Sequence, residues 1–179
     1  MPLTASFRTP GWHKSTLFSV ALCLGILTSG CTSSPSTPSR IASTLSEGLA
    51  AQARGDDATA SADYLSVVAL QPGNYLAWYD LGVIAGHTGG EAEAIHDYSQ
   101  AISAKPDYVP ALYNLAASGA SSNPTGALGL YERVISLQPK NADALFNEGV
   151  LLKASGHTSA GRQDLAKAVS LDPSLASRG

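Results

Sequence analysis

Thiols, imidazoles and paired carboxylates are the groups that could carry chemistry in this chain, and they are sparsely placed. There are two cysteines, Cys23 and Cys31, and four histidines, His13, His87, His96 and His157. Two thiols cannot build a disulfide-dense scaffold or a four-cysteine zinc site. No two histidines stand at i, i+4, and the HExxH pattern that joins a zinc pair to a glutamate base is missing. His87 and His157 fall where turns are expected, so they read as solvated side chains. Gly89-Gly90 is followed by no GK[ST] and makes no phosphate loop. The serine-rich stretches carry no nucleophile-elbow pattern. These residues imply no enzyme, no cofactor and no metal site. A formal charge of −3, with only 14% charged residues, leaves no basic footprint for nucleic acid.

One thiol has a chemistry suggested by its position. Met1 to Thr16 is polar and carries Arg8, His13 and Lys14 with no acid, and Leu17 to Leu27 is an uncharged apolar run. That run is shorter than the ~20 residues a spanning helix needs. Positive leader, short apolar stretch and small residues at its end are the parts of a secretory signal. The end, Leu27-Thr28-Ser29-Gly30-Cys31, resembles a bacterial lipobox, with Thr28 where that motif usually has leucine. The resemblance implies a signal peptide over 1–30 and acylation of Cys31 as the mature N-terminus. Alternatives are cleavage elsewhere or an uncleaved anchor, with Cys31 an ordinary thiol. Cleavage before Cys31 removes two of eleven basic residues and none of fourteen acidic ones, a net −5. Thr32, in place of the aspartate that resembles an inner-membrane retention signal, implies the outer membrane facing the periplasm in a Gram-negative source. Residues 31–40, rich in Ser, Thr and Pro, read as a tether.

The elements beyond the tether repeat. Pro72, Pro106, Pro139 and Pro173 close units at intervals of 34, 33 and 34 residues. The second unit reads Trp78-x2-Leu81-Gly82, then Ala94-x3-Tyr98, Ala101 and Pro106, and so resembles the tetratricopeptide repeat. The resemblance covers 41–175, divided at 41–74, 75–108, 109–141 and 142–175, with 176–179 a tail. It implies an all-α, right-handed superhelical solenoid of about four helix–turn–helix repeats. Gly48, Gly82, Ala116 and Gly149 face Ala60, Ala94, Ala127 and Gly161, small pairs that let two helices approach closely. Tyr64, Tyr98, Tyr131 and Leu165 follow as fillers, and Val67, Ala101, Val134 and Ala168 sit one turn on. Thr44-x-x-Glu47 reads as a capping box opening the first helix, and Asn123-Pro124 as the start of another. The third unit is one residue short, with a loose stretch at 118–126. Glu47 and Glu148 replace the leucine kept as Leu81 and Leu115, which predicts exposure at both ends. No further helix is expected to cover the last repeat.

Stacked repeats create a concave surface lined by their first helices. The position that commonly faces this groove in the family holds Leu45, Tyr79, Tyr113 and Phe146. The next holds Asp80, Asn114 and Asn147, which resembles the asparagine row that some members use to hold a ligand backbone. Rings for apolar contact beside Asx side chains for hydrogen bonds suit an extended peptide or a partner helix. The alternative is that the rings simply pack helix on helix. The carboxylate clamp that some members use on chaperone termini is not expected, since Val83, Ala117 and Val150 occupy its positions and only Lys153 is basic nearby. The implied function is a membrane-anchored adaptor of the bacterial envelope, holding a protein partner and helping assemble a pilus or secretion apparatus. Alternatives are an adaptor for cell-wall enzymes, or a module that self-associates through its uncovered last repeat.

Overall fold

The computed structural model describes residues 36–178, so the leader and Cys31 lie outside the described residues. Four helical hairpins follow one another. They are α1 (Thr37–Ala53) with α2 (Asp57–Leu70), α3 (Tyr75–His87) with α4 (Glu91–Ala104), α5 (Val109–Gly119) with α6 (Pro124–Leu137), and α7 (Ala142–Ala154) with α8 (Thr158–Leu171). A 3-10 turn, Pro173–Arg178, closes the chain. Every substantial packing contact joins elements no more than two apart in sequence, the pattern of a solenoid.

Capping explains where the helices start. Asn74 Oδ1 accepts from the Ala77 amide at 3.1 Å, and Asn141 Oδ1 from that of Ala144 at 3.0 Å. Asn123 caps α6 through Gly126 at 3.0 Å, with Pro124 in the first turn as expected. The hairpin turns of units one, two and four pass through Gly55, Gly89 and Gly156 at φ near +75° to +88°. Side chains rarely adopt that conformation, so glycine is the residue that fits. Unit three has no such glycine, and α5, at 11 residues, is two shorter than α3 and α7.

The first helix differs from expectation. It begins at Thr37, not after Arg40, and Thr44 lies in its interior and opens nothing. Ser36 stands at the cap and Pro38 in the first turn, where proline's fixed φ already suits a helix. Residues 37–40 of the expected tether are therefore helical.

Within each hairpin the small positions bring helices together as the sequence predicts. Ala60, Ala94 and Ala127 are buried, and so are Tyr64, Tyr98 and Tyr131 behind them. A Cβ on Gly48 would lie 2.8 Å from the Tyr64 ring, and one on Gly82 would lie 2.6 Å from the Tyr98 ring. The fourth hairpin is tighter still. Gly149 and Gly161 meet backbone to backbone, so that a Cβ on Gly161 would stand 2.5 Å from the Gly149 carbonyl oxygen.

Both ends correct the sequence reading in part. Glu47 is exposed as expected, but Glu148 is only 8% exposed. The last repeat is also not left open. The 3-10 turn folds back so that Leu175 is buried with Leu145, Phe146 and Ala168, and Arg178 Nη1 reaches Asp143 Oδ1 at 3.3 Å. Pro173 stops α8 as predicted, and the residues after it cover the core.

Candidate functional site

Helices α3, α5 and α7 carry the predicted groove row, but its members sit in different surroundings. Tyr79 and Tyr113 are half-buried, each with its ring against the tyrosine of its own hairpin's second helix. The ring centres of Tyr79 and Tyr98 are 5.9 Å apart, and those of Tyr113 and Tyr131 are 5.8 Å apart. These rings thus both pack helices and face outward. Phe146 is placed otherwise. At 8% exposure it belongs to the core of the last hairpin, because the 3-10 turn closes over that hairpin. Leu45 packs against the core of the first hairpins.

The Asx row stitches repeats together. Asn147 Nδ2 donates to the Tyr113 hydroxyl at 2.8 Å, one repeat back. Asn114 Nδ2 lies at 3.5 Å from both the Tyr79 and Tyr98 hydroxyls. Burial pushes the Tyr98 and Tyr131 phenols up to about 12, so they stay neutral hydrogen-bonding groups. Asp80 stands at the same position one repeat earlier, but the ring position behind it is Leu45, which has no hydroxyl. Among the described residues Asp80 has no hydrogen-bond or ion-pair partner. Burial raises its carboxyl to about 6.

Beside Tyr79 and Asn114 lies a cavity of about 330 Å³, lined also by Val109, Pro110, Tyr113, Gln138, Asn141 and Asp143. A second, of about 270 Å³, lies beside Tyr131, Asn147, Val150 and Leu151. An aliphatic stripe runs alongside, formed by the same position of each first helix: Leu49, Val83, Ala117 and Val150. Leu49 is 48% and Val150 45% exposed. The surface offers flat rings, acceptor oxygens and an apolar strip in parallel rows, the combination that holds an extended segment.

Sequence reading missed the aromatic cluster at one rim. Tyr75 and Tyr108 meet edge to face at 4.9 Å, and Tyr108 meets Tyr79 at 5.3 Å. Lys105 Nζ lies 4.6 Å from the Tyr75 ring centre. Tyr75 opens α3 whereas Tyr108 is the cap of α5, so their 33-residue spacing falls one short of the 34 between these units and repeat position alone did not pair them.

A model of the tetratricopeptide repeat matches residues 45–109 and 119–176, most of the chain. The chain belongs to the tetratricopeptide repeat family. Solved tetratricopeptide structures share its fold. The crystal structure of MamA is similar at a TM-score of 0.70 and 23% identity, covering 78% of this chain and 82% of that one. YrrB, described as a protein with an unusual peptide-binding site, is similar at 0.66 and 18%, covering 74% and 69%. The first tetratricopeptide domain of Spaghetti (RPAP3), bound to the HSP90 peptide SRMEEVD, is similar at 0.61 and 20%, covering 65% and 94%. No curated protein sequence matches this chain. Tetratricopeptide repeat proteins generally mediate protein–protein interaction and scaffolding, and the helical solenoid described above is their architecture.

Proposed function

We propose that this tetratricopeptide repeat chain is an adaptor held at the bacterial envelope, which grips an extended segment of a partner protein along α3 and α5 and helps assemble a larger complex of the pilus or secretion kind. The observation that carries the groove reading is the cavity between Tyr79, Tyr113 and Asn114. It is open and lined by rings, and Asn114 fixes it in shape from the next repeat. Two peptide-associated structural neighbours support the same use of the fold. The envelope placement rests on the leader and on the lipobox-like sequence before Cys31. Among the described residues no helix is long and apolar enough to cross a membrane, so attachment would come from that end.

Two experiments test this. Crosslinked capture from envelopes should recover a partner with the wild-type chain and lose it with Tyr79→Ala/Tyr113→Ala, checked as folded by circular dichroism. Phe146 is left intact because it is core. An identical catch from both would place binding elsewhere. The identity of the partner, a pore or pilus component against a cell-wall enzyme, separates the two kinds of assembly. For the anchor, Cys31→Ser should abolish incorporation of labelled fatty acid in cells, and continued labelling would rule out acylation at that thiol.

A further inference from the structure

We propose that the segment held in this groove presents a basic side chain, arginine or lysine, which pairs with the Asp80 carboxylate and lies against the Tyr79 ring. The inference rests on the groove reading above and adds the chemistry of the occupant. It begins from a break in a repeated pattern. In units three and four the Asx amide donates back to a tyrosine hydroxyl of the unit before. In unit two the residue is an acid; of its two counterparts in the unit before, Leu45 has no hydroxyl and the Tyr64 hydroxyl donates to Gln52 Oε1 at 2.8 Å. A carboxylate has no proton to donate, and the leucine could not accept one. Asp80 is thus a half-buried anion with nothing opposite it among the described residues. Such a group gains most from an incoming cation.

The chain itself shows this chemistry two units away. Arg178 of the closing turn sets its guanidinium 3.3 Å from Asp143, which lines the same cavity. An arginine beside a carboxylate is what the proposal places at Asp80. Cations over tyrosine faces also recur here, since Lys105 sits over Tyr75 and Tyr108. The other groups nearest Asp80 are the phenols of Tyr64, Tyr79, Tyr98 and Tyr108, which are neutral. An acidic segment would meet uncompensated like charge at Asp80, with no lysine or arginine in the row to offset it.

The test uses random twelve-residue peptides displayed on phage, selected on the immobilised full chain in mild detergent. Wild type, Asp80→Asn and Tyr79→Ala/Tyr113→Ala are compared. Asparagine is the residue units three and four already hold at this position, so Asp80→Asn keeps the fold. Peptides enriched on wild type should carry Arg or Lys well above the starting library. A selected peptide, made synthetically, should bind about tenfold more weakly to Asp80→Asn, and to wild type when its basic residue is replaced by Gln. Combining both changes should cost little more than either alone. Enriched peptides without a basic preference, or unaffected by Asp80→Asn, would overturn the proposal while leaving the groove intact. Peptides indifferent to Tyr79→Ala/Tyr113→Ala, or no enrichment, would overturn the groove reading and this inference with it. Selected sequences matching a stretch of this chain would make a second copy the occupant and overturn a separate partner.

Discussion

Replacing Gly161 with alanine is expected to lower stability by about 1–3 kcal/mol, although alanine favours a helix by about 1 kcal/mol over glycine. The reason is the crossing of α7 and α8. The new Cβ would stand 2.5 Å from the Gly149 carbonyl oxygen, 2.8 Å from Lys153 Cγ and 3.0 Å from the Lys153 amide nitrogen. Two of these three atoms are backbone and cannot swing aside, so the helices must separate and the packing of Leu145 and Ala168 loosens with them. Gly129→Ala is the matched control. Gly129 sits on the exposed face of α6 with nothing within 4 Å of a Cβ, and its replacement should stabilise by about 0.5–1 kcal/mol. Urea titration checks both. The midpoint should fall for Gly161→Ala and rise for Gly129→Ala at similar slope. A rise for both would mean that α7 and α8 are not in backbone contact.

The second large effect is expected at Glu148. Its side chain is 8% exposed on α7, where the middle repeats keep leucine, and its neighbours include Asp164 and Glu132 as well as Lys167. Burial, then those two acids, push its carboxyl up to about 7, against a partial opposing pull from Lys167. The folded chain therefore holds a proton between pH 4.5 and 7 that the unfolded chain has released. Stability from this group is fully present below about 4.5 and is lost as pH rises through 7. Asp80, raised to about 6, slopes the same way. Nearby solvent screens part of this interaction. About 1–2 kcal/mol is expected between pH 5 and 8. Glu148→Leu should recover that amount or more at pH 8 and flatten the dependence on pH, and Glu148→Gln should flatten it with a smaller gain. Melting temperatures of the three proteins at pH 5 and 8 decide the matter. A wild type more stable at pH 8 than at pH 5 would refute this account.

The repeat period was legible because every unit has to solve the same packing problem. A small residue is needed where helices cross, a ring behind it and a proline at the exit, and these recur at Gly82, Tyr98 and Pro106. What could not be read was which surfaces stay open. Phe146 occupies the same repeat position as Tyr79 and Tyr113, and only the fold of the six residues after Asp172 decides that it is covered. Local spacing does not encode that turn, since Pro173 looks the same whether the chain leaves or folds back. Glu148 was misjudged for the same reason, as its exposure depends on α8. The capping pattern at Thr44 was outweighed by an earlier helix start at a proline. Asp80, in contrast, was visible in the row from the beginning. Its lack of a partner emerged only once Asn114 and Asn147 were seen bonded to the tyrosines behind them.

Contacts that join only nearby elements also decide how such a chain bears load. Tension entering at one terminus passes through the hairpins in series, because every substantial contact spans at most two elements. Each hairpin can yield by itself while its neighbours hold, releasing the slack of one repeat, roughly 100 Å of extended chain. A molecule of this build is a row of mechanical fuses.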